Sequence, residues 1–516
     1  MPLPLRTLLL ALAALALCST ARAEEKTLVF GRAADSTFLD PAKYLDNESA
    51  MVIENIFEGL VRYADESTHV ESALAESWET SADGRTWTFH LREGVRFSDG
   101  TPCDAPAAAF SFLRRTDPTH PYFREEFARM DASLKNITKV EAVDRLTLRI
   151  TLHEPYAPLL STLATHASYL VSPDAVRAWG DDFDKHPVGA GPFTFASWTP
   201  GDRIELVANP GYYRGRPYLD RVVFKVIPDI KVRLLELKSG AIQIMDGVGP
   251  ADRDEIVKNP RLVLDATPGL NVGYLAMNMR HAPFDILEVR RAVNHAINKE
   301  NLVKLLYRDL AEVAKNPIPP GMWVYNQDVT DYDFDPAKAR ELLRQAGFPN
   351  GFSTTLWAMP VSRPYMPEPE RIARAIQANL AAVGIKARIV TYEWKDYLAK
   401  AYAGEHDMCL LGWVGAGDPD NFFSNLFSAE RAVPPHASNI AFFTDPEAQK
   451  LIREAQRESD QMRRAVLYRE LQEVIHDQAP WAPLAHASQA MARERTVQGV
   501  VHHQTGVVRF AKAYIP

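Results

Sequence analysis

Cysteine is nearly missing from this chain: 516 residues carry three, at Cys18, Cys103 and Cys409. A disulfide framework wants more, in an even and patterned set, so covalent staples are not expected to hold the fold. Two buried free thiols at Cys103 and Cys409 are the simpler expectation. Long apolar runs are also missing. Beyond the first twenty residues no uninterrupted stretch approaches the ~18 residues that argue for a membrane span. Nor is there a basic run: 58 Lys and Arg stand against 66 Asp and Glu, a net charge of −8. That balance argues against nucleic acid as a partner. The motifs G-x-x-x-x-G-K-[ST], H-E-x-x-H and G-x-S-x-G are all absent. The 14 histidines are scattered, and the one adjacent pair, His502-His503, reads as a polar turn. No catalytic residue, metal or cofactor is expected.

What is present begins with a leader. Arg6 is followed by the apolar run Leu8–Leu17 and by Ala21-Arg22-Ala23, a small-x-small cleavage site. This pattern predicts a secretory signal peptide over residues 1–23, cleaved after Ala23. Leu17 is too large for the usual lipoprotein pattern before Cys18. Removing the leader leaves 56 basic against 66 acidic groups, or −10, since it carries Arg6, Arg22 and no acid.

A chain this long exceeds the roughly 250 residues at which single cores stop growing, so several domains are expected. Lys26–Arg32, Thr147–Leu152 and Arg221–Ile227 read as strands, and Glu48–Leu60 as a helix. Arg85–Arg92 alternates strictly, with Trp87, Phe89 and Leu91 on one face. After Gly269 the period changes. Helices are predicted over Leu287–Leu306, Pro336–Ala346, Pro369–Val383, Trp394–Ala403 and Gln461–Asp477, with strands at Ala387–Tyr392 and Met408–Trp413. Asp335-Pro336 and Asp445-Pro446 read as helix caps followed by proline in the first turn. The tail Val507–Tyr514 reads as a strand that completes the first sheet. The chain is thus mixed α/β.

Several blocks then converge. Glu76-Ser-Trp78 through Asp83-Gly84, and Phe89-His-Leu-Arg92-Glu-Gly94-Val95-Arg-Phe97-Ser-Asp99-Gly100, resemble the signature of family-5 solute-binding proteins of bacterial ABC importers. Pro187-Val-Gly-Ala-Gly191-Pro-Phe193 and Pro268-Gly-Leu-Asn271-Val-Gly-Tyr274 are similar to further family blocks. Trp357–Tyr365 and Thr391–Trp394 narrow the likeness to the dipeptide-binding and haem/glutathione-binding branch. The resemblance implies a periplasmic-binding-protein-like α/β fold with two lobes (type II, cluster C) and an extra subdomain in the first lobe. The expected boundaries are 24–60 plus 188–270 plus 486–516 for lobe I, 61–187 for its inserted subdomain, and 271–485 for lobe II. Hinge strands would cross near Pro268 and Ala485.

The same resemblance implies a periplasmic receptor that captures a dipeptide or small peptide-like acid as a monomer. It would pass that cargo to an inner-membrane ABC permease with its ATPase subunits, without chemistry of its own. Arg363 is implied as the partner of a ligand carboxylate, a pairing its planar fork suits. Tyr365, Trp394 and Trp413 match cavity walls, and Asp46 and Asn47 match a ligand-touching loop of the first lobe. In the turn Gly415-Ala416-Gly417-Asp418, Ala416 departs from the pattern, which carries an aspartate there for a peptide's amino group. The turn is also one residue shorter. Either Asp418 moves into reach, or the cargo has a carboxylate and no free amino group at that spot. A haem, glutathione or nickel-chelate receptor is the alternative within the family, and a secreted hydrolase the alternative outside it.

Overall fold

The computed structural model describes residues 25–43, 46–130 and 132–516. The expected leader, with its cleavage after Ala23, lies outside the described residues. Ten strands follow one another in the main sheet, and the order explains the two lobes. Trp481–Glu494 sits in the middle and serves both sides. Its first half pairs antiparallel with Asn271–Met277, and its second half with Leu262–Pro268 and Ile244–Met245.

On one side Thr27–Arg32 runs parallel to Arg221–Val226, which continues antiparallel to Arg203–Ala208 and Phe193–Thr199. On the other side Asn271–Met277 leads through Met408–Val414 to Ser353–Trp357 and Lys386–Val390. The last two are parallel, which needs a crossover, and helix Pro369–Ala381 supplies it. Ile372, Ala373, Ile376 and Leu380 line its buried stripe at helical spacing.

One core gathers apolar residues between Leu270 and Ala487. A second gathers residues between Leu60 and Ala190 around a separate four-stranded sheet, in which Thr86–Leu91 buries Trp87, Phe89 and Leu91 as its alternation predicts. A third joins Phe30 and Phe224 to Val508 and Phe510 near the chain's end. Asp335 and Asp445 cap their helices through the side chain, each with proline in the first turn. Cys103 and Cys409 are buried and free.

Two expectations need correction. The predicted helix Leu287–Leu306 is two helices, Leu287–Ala296 and Lys299–Leu306; the Asn298 side chain accepts from the Asn301 N–H and starts the second. The tail does not complete the first sheet. Only Val508–Arg509 is strand, paired with Val501–His502, and the end is tied down by packing and by Asn55, which bonds the backbone of Val508 and Phe510. The strand expected to cross near Ala485 is Trp481–Glu494, 14 residues long.

Candidate functional site

Gly273 and Gly412 are direct partners on adjacent strands. A Cβ on Gly412 would come 2.2 Å from the Tyr365 ring, and one on Gly273 would come 2.4 Å from the Tyr365 carbonyl oxygen. The two glycines thus form a slot that seats Tyr365, and the Tyr307 hydroxyl fixes it by donating to that carbonyl at 2.8 Å. Burial pushes the Tyr365 phenol up to about 12, with Arg363 acting in the opposite direction.

Arg363 and Met366 exchange backbone hydrogen bonds of 3.1 and 2.9 Å, closing a tight turn whose base is the buried Tyr365 and Met366. The exposed Arg363 side chain therefore projects from a fixed platform. Its guanidinium carbon lies 4.9 Å from the Trp394 ring centroid, a cation–π contact that orients the fork. No carboxylate among the described residues pairs with it. Arg363, Tyr365, Trp394 and Trp413 together line a pocket of about 310 Å³.

Trp413 also faces a larger cleft of about 1240 Å³, and that cleft has walls from both lobes. Asp46, Asn47, Glu54 and Tyr63 face Gly415, Ala416, Asp418 and Asp420 across it. Asn421 organises the turn: its Oδ1 accepts from Trp413 Nε1 at 2.9 Å and from the Ala416 N–H at 3.1 Å. Gly415 has no room for a side chain against Phe422, and Gly417 has none against Tyr63. The Gly417 N–H donates to the Tyr63 hydroxyl at 3.2 Å, so the turn itself touches the first lobe. Tyr156 adds a second interlobe bond, donating to Asp420 Oδ2 at 3.0 Å.

Asp418 is engaged within the protein. Its two oxygens take a bidentate pair from Arg464 at 2.8 and 2.6 Å, both groups being buried, and Oδ1 also accepts the Asp420 N–H. Shortening the turn has therefore not supplied a free carboxylate at this position. The next helix begins one residue later than Asp418 would cap, at Asp420–Phe427, with Pro419 as its first flanking residue. Asp46 is likewise engaged: it caps helix Asn47–Ile56 through the Ser49 N–H and accepts from Thr37 Oγ1. Asn47 is exposed and donates to the Gly506 carbonyl.

Sequence reasoning missed four residues. Asp420 is pushed up to about 6 by burial and by Asp418 beside it, an effect Arg464 only partly offsets, and its Oδ1 lacks a hydrogen-bond partner. Glu54 forms the opposite case. Burial alone would raise it, but Arg509, then His166 and Tyr169, hold it well below the usual carboxylate range. Tyr63 and Tyr156 pack in the core around the four-stranded sheet. No local pattern announces any of them, since each owes its place to contacts hundreds of residues away.

Two lobes joined by crossing strands, a cleft walled by both and an arginine held ready over an aromatic pocket define a hinged solute-binding protein. The sequence profile of the bacterial extracellular solute-binding proteins, family 5 (middle), matches residues 69–433, and the chain belongs to that family. It is 37% identical to the dipeptide-binding protein of Escherichia coli K12 over 98% of each chain. It is 37% identical to heme-binding protein A of Haemophilus influenzae, over 95% of this chain and 94% of that one. The solved structure of HbpA2 from Haemophilus parasuis superposes with a TM-score of 0.88 at 33% identity, over 95% of this chain and 100% of that one.

Proposed function

We propose that this chain is the periplasmic, ligand-capturing component of an ABC importer, and that it takes a dipeptide or small peptide-like acid. It hands that cargo to an inner-membrane permease driven by separate ATPase subunits. The chain acts as a monomer and changes no bond in the ligand. The observation that carries this reading is Arg363: an exposed guanidinium, fixed by a clamped turn and by Trp394, with no acidic partner among the described residues. In a closed cleft, away from water, a carboxylate on that fork is worth more than at a surface. The identity to a dipeptide-binding protein supports the same cargo class.

Closure would bend the paired strands where Leu262–Pro268 passes to Asn271–Met277 and where Trp481–Glu494 changes partners. Lobe I would comprise 24–60, 188–270 and 486–516, its subdomain 61–187, and lobe II 271–485. Since Ala416 offers no carboxylate and Asp418 is paired with Arg464, the cargo's amino group is not gripped at this turn. The cleft is also roomy at about 1240 Å³, which favours as second reading a bulkier acid such as glutathione or haem.

Arg363→Ala tests the first reading. It should abolish the thermal stabilisation that dipeptides give the wild-type protein; unchanged stabilisation removes Arg363 from the site. Native mass spectrometry of freshly purified protein distinguishes the readings by the mass of retained cargo. Catalytic turnover of peptides, in place of stoichiometric binding, would support a hydrolase instead.

A further inference from the structure

A further cavity, of about 250 Å³, lies where the long strands cross, and it shares no lining residue with the cleft or with the pocket beside Arg363. Strand register decides which side chains face it. Ala311–Val313 pairs antiparallel with Trp481–Glu494, placing Glu312 directly opposite His486, while Pro268 stands opposite Ser488. Directly opposed residues share a face of the ribbon, as do residues two apart on one strand. Glu312, His486, Pro268 and Ser488 accordingly all line this cavity.

His486 is buried, and its Nδ1 lies 2.9 Å from the Asn271 carbonyl oxygen. A carbonyl only accepts, so Nδ1 carries the proton and Nε2 is left as a lone-pair acceptor. That Nε2 has no hydrogen-bond partner. Burial, with Lys299 acting in the same direction, pushes the imidazole down to about 4, so the ring is neutral near pH 7. Glu312 beside it has no ion-pair partner among the described residues, and burial raises its carboxyl. The other acid, Asp309, is taken by Arg253 at 2.5 Å. Gln504 donates its amide to the Glu66 carbonyl, which leaves its own oxygen as an acceptor. No lysine or arginine lines the cavity. It thus gathers acceptors around one negative charge that nothing neutralises. A metal ion is not the match, since among the described residues no three His, Cys, Asp or Glu side chains gather into a metal-holding group.

We propose that this cavity is a second ligand site, taking a small organic cation that carries N–H donors, a primary ammonium or a guanidinium. The charge pairs with Glu312 while one N–H donates to His486 Nε2. Its volume falls just below the roughly 300–1,000 Å³ of pockets for drug-sized ligands, so the occupant is small. The site adds to the importer reading and does not depend on it.

Ligand-observed NMR titration of the purified protein with propylammonium, methylguanidinium and tetramethylammonium tests the idea. The first two should bind saturably, at least about 10-fold more tightly than tetramethylammonium, which has the charge but no N–H. Glu312→Gln, a change at an exposed position that the fold should accept, should weaken both by at least a similar factor. Equal binding of tetramethylammonium, or binding unchanged in Glu312→Gln, would overturn the proposal. Failure of both N–H cations to bind would overturn it too and leave the cavity to water. A second measurement follows His486 itself in protein made with isotope-labelled histidine: its Nε2 resonance should move as propylammonium saturates. A resonance that stays still at saturation would place the cation elsewhere.

Discussion

Tyr365 and Gly412 compete for one volume: the ring occupies the space that a side chain at position 412 would need. The turn bearing Arg363 sits where it does because strand Met408–Val414 leaves that face bare. Gly412→Val should therefore push Tyr365 out of its slot at a cost of about 1–3 kcal/mol, the usual penalty of overpacking. Calorimetry would show the loss as a lowered Tm. Dipeptide binding should weaken as well, because the Arg363 platform shifts with Tyr365.

Asp418 is structural, and its substitution separates structure from recognition. Asp418→Ala leaves the Arg464 guanidinium buried without its carboxylate, a loss of about 3–5 kcal/mol. Denaturant unfolding would measure it. Asp418→Asn should weaken free and N-acetylated dipeptides equally; selective loss of the free ones would return Asp418 to the ligand site.

Asp420 gives a pH signature. Its folded value, about 6, lies above the ordinary 3.8, so the folded state holds this proton more tightly than the unfolded state. The group thus favours folding most below about pH 4, and that advantage is lost as pH rises to about 6. Two units correspond to at most about 3 kcal/mol. Asp418, Arg464 and Tyr468 face this carboxyl from the turn and the helix Gln461–Gln478, Gln456 lies beside it, and Tyr156 donates to its Oδ2. Asp420→Asn keeps an acceptor for Tyr156 but cannot ionise. Its Tm relative to wild type should climb between pH 4 and 6 and then level off; a constant difference across that range would contradict the assignment.

Asn271 pins the crossing strands. Its amide donates to the Ala487 carbonyl at 2.7 Å and accepts the Ala487 N–H at 2.9 Å, while His486 Nδ1 lies 2.9 Å from the Asn271 carbonyl. Asn271→Ala strands two buried backbone groups and should cost about 2–4 kcal/mol. If the crossing is the hinge, small-angle scattering should also show a changed response to ligand; an unaltered closure would place the hinge elsewhere.

Local signals were legible wherever a helix or strand satisfies itself. The stripe Ile372, Ile376, Leu380 and the alternation Trp87, Phe89, Leu91 fall in the elements their spacing predicts. Among the candidate site residues, Arg363, Tyr365, Trp394 and Trp413 line one pocket. Asp418 was legible as an acid in the right turn but not as one already claimed, because Arg464 is 46 residues further on.

By itself the sequence determined the secondary structure of the regular elements, the scarcity of covalent staples and the solute-binding family. Those follow from side-chain period and from blocks that occur in order along the chain. Only the tertiary structure decided which carboxylates are spent on arginines, which tyrosines cross between lobes, and that a bare pair of glycines seats Tyr365. Each of these depends on groups distant in sequence meeting in a dry interior, where an unpaired charge or an overfilled volume costs far more than any local preference can return.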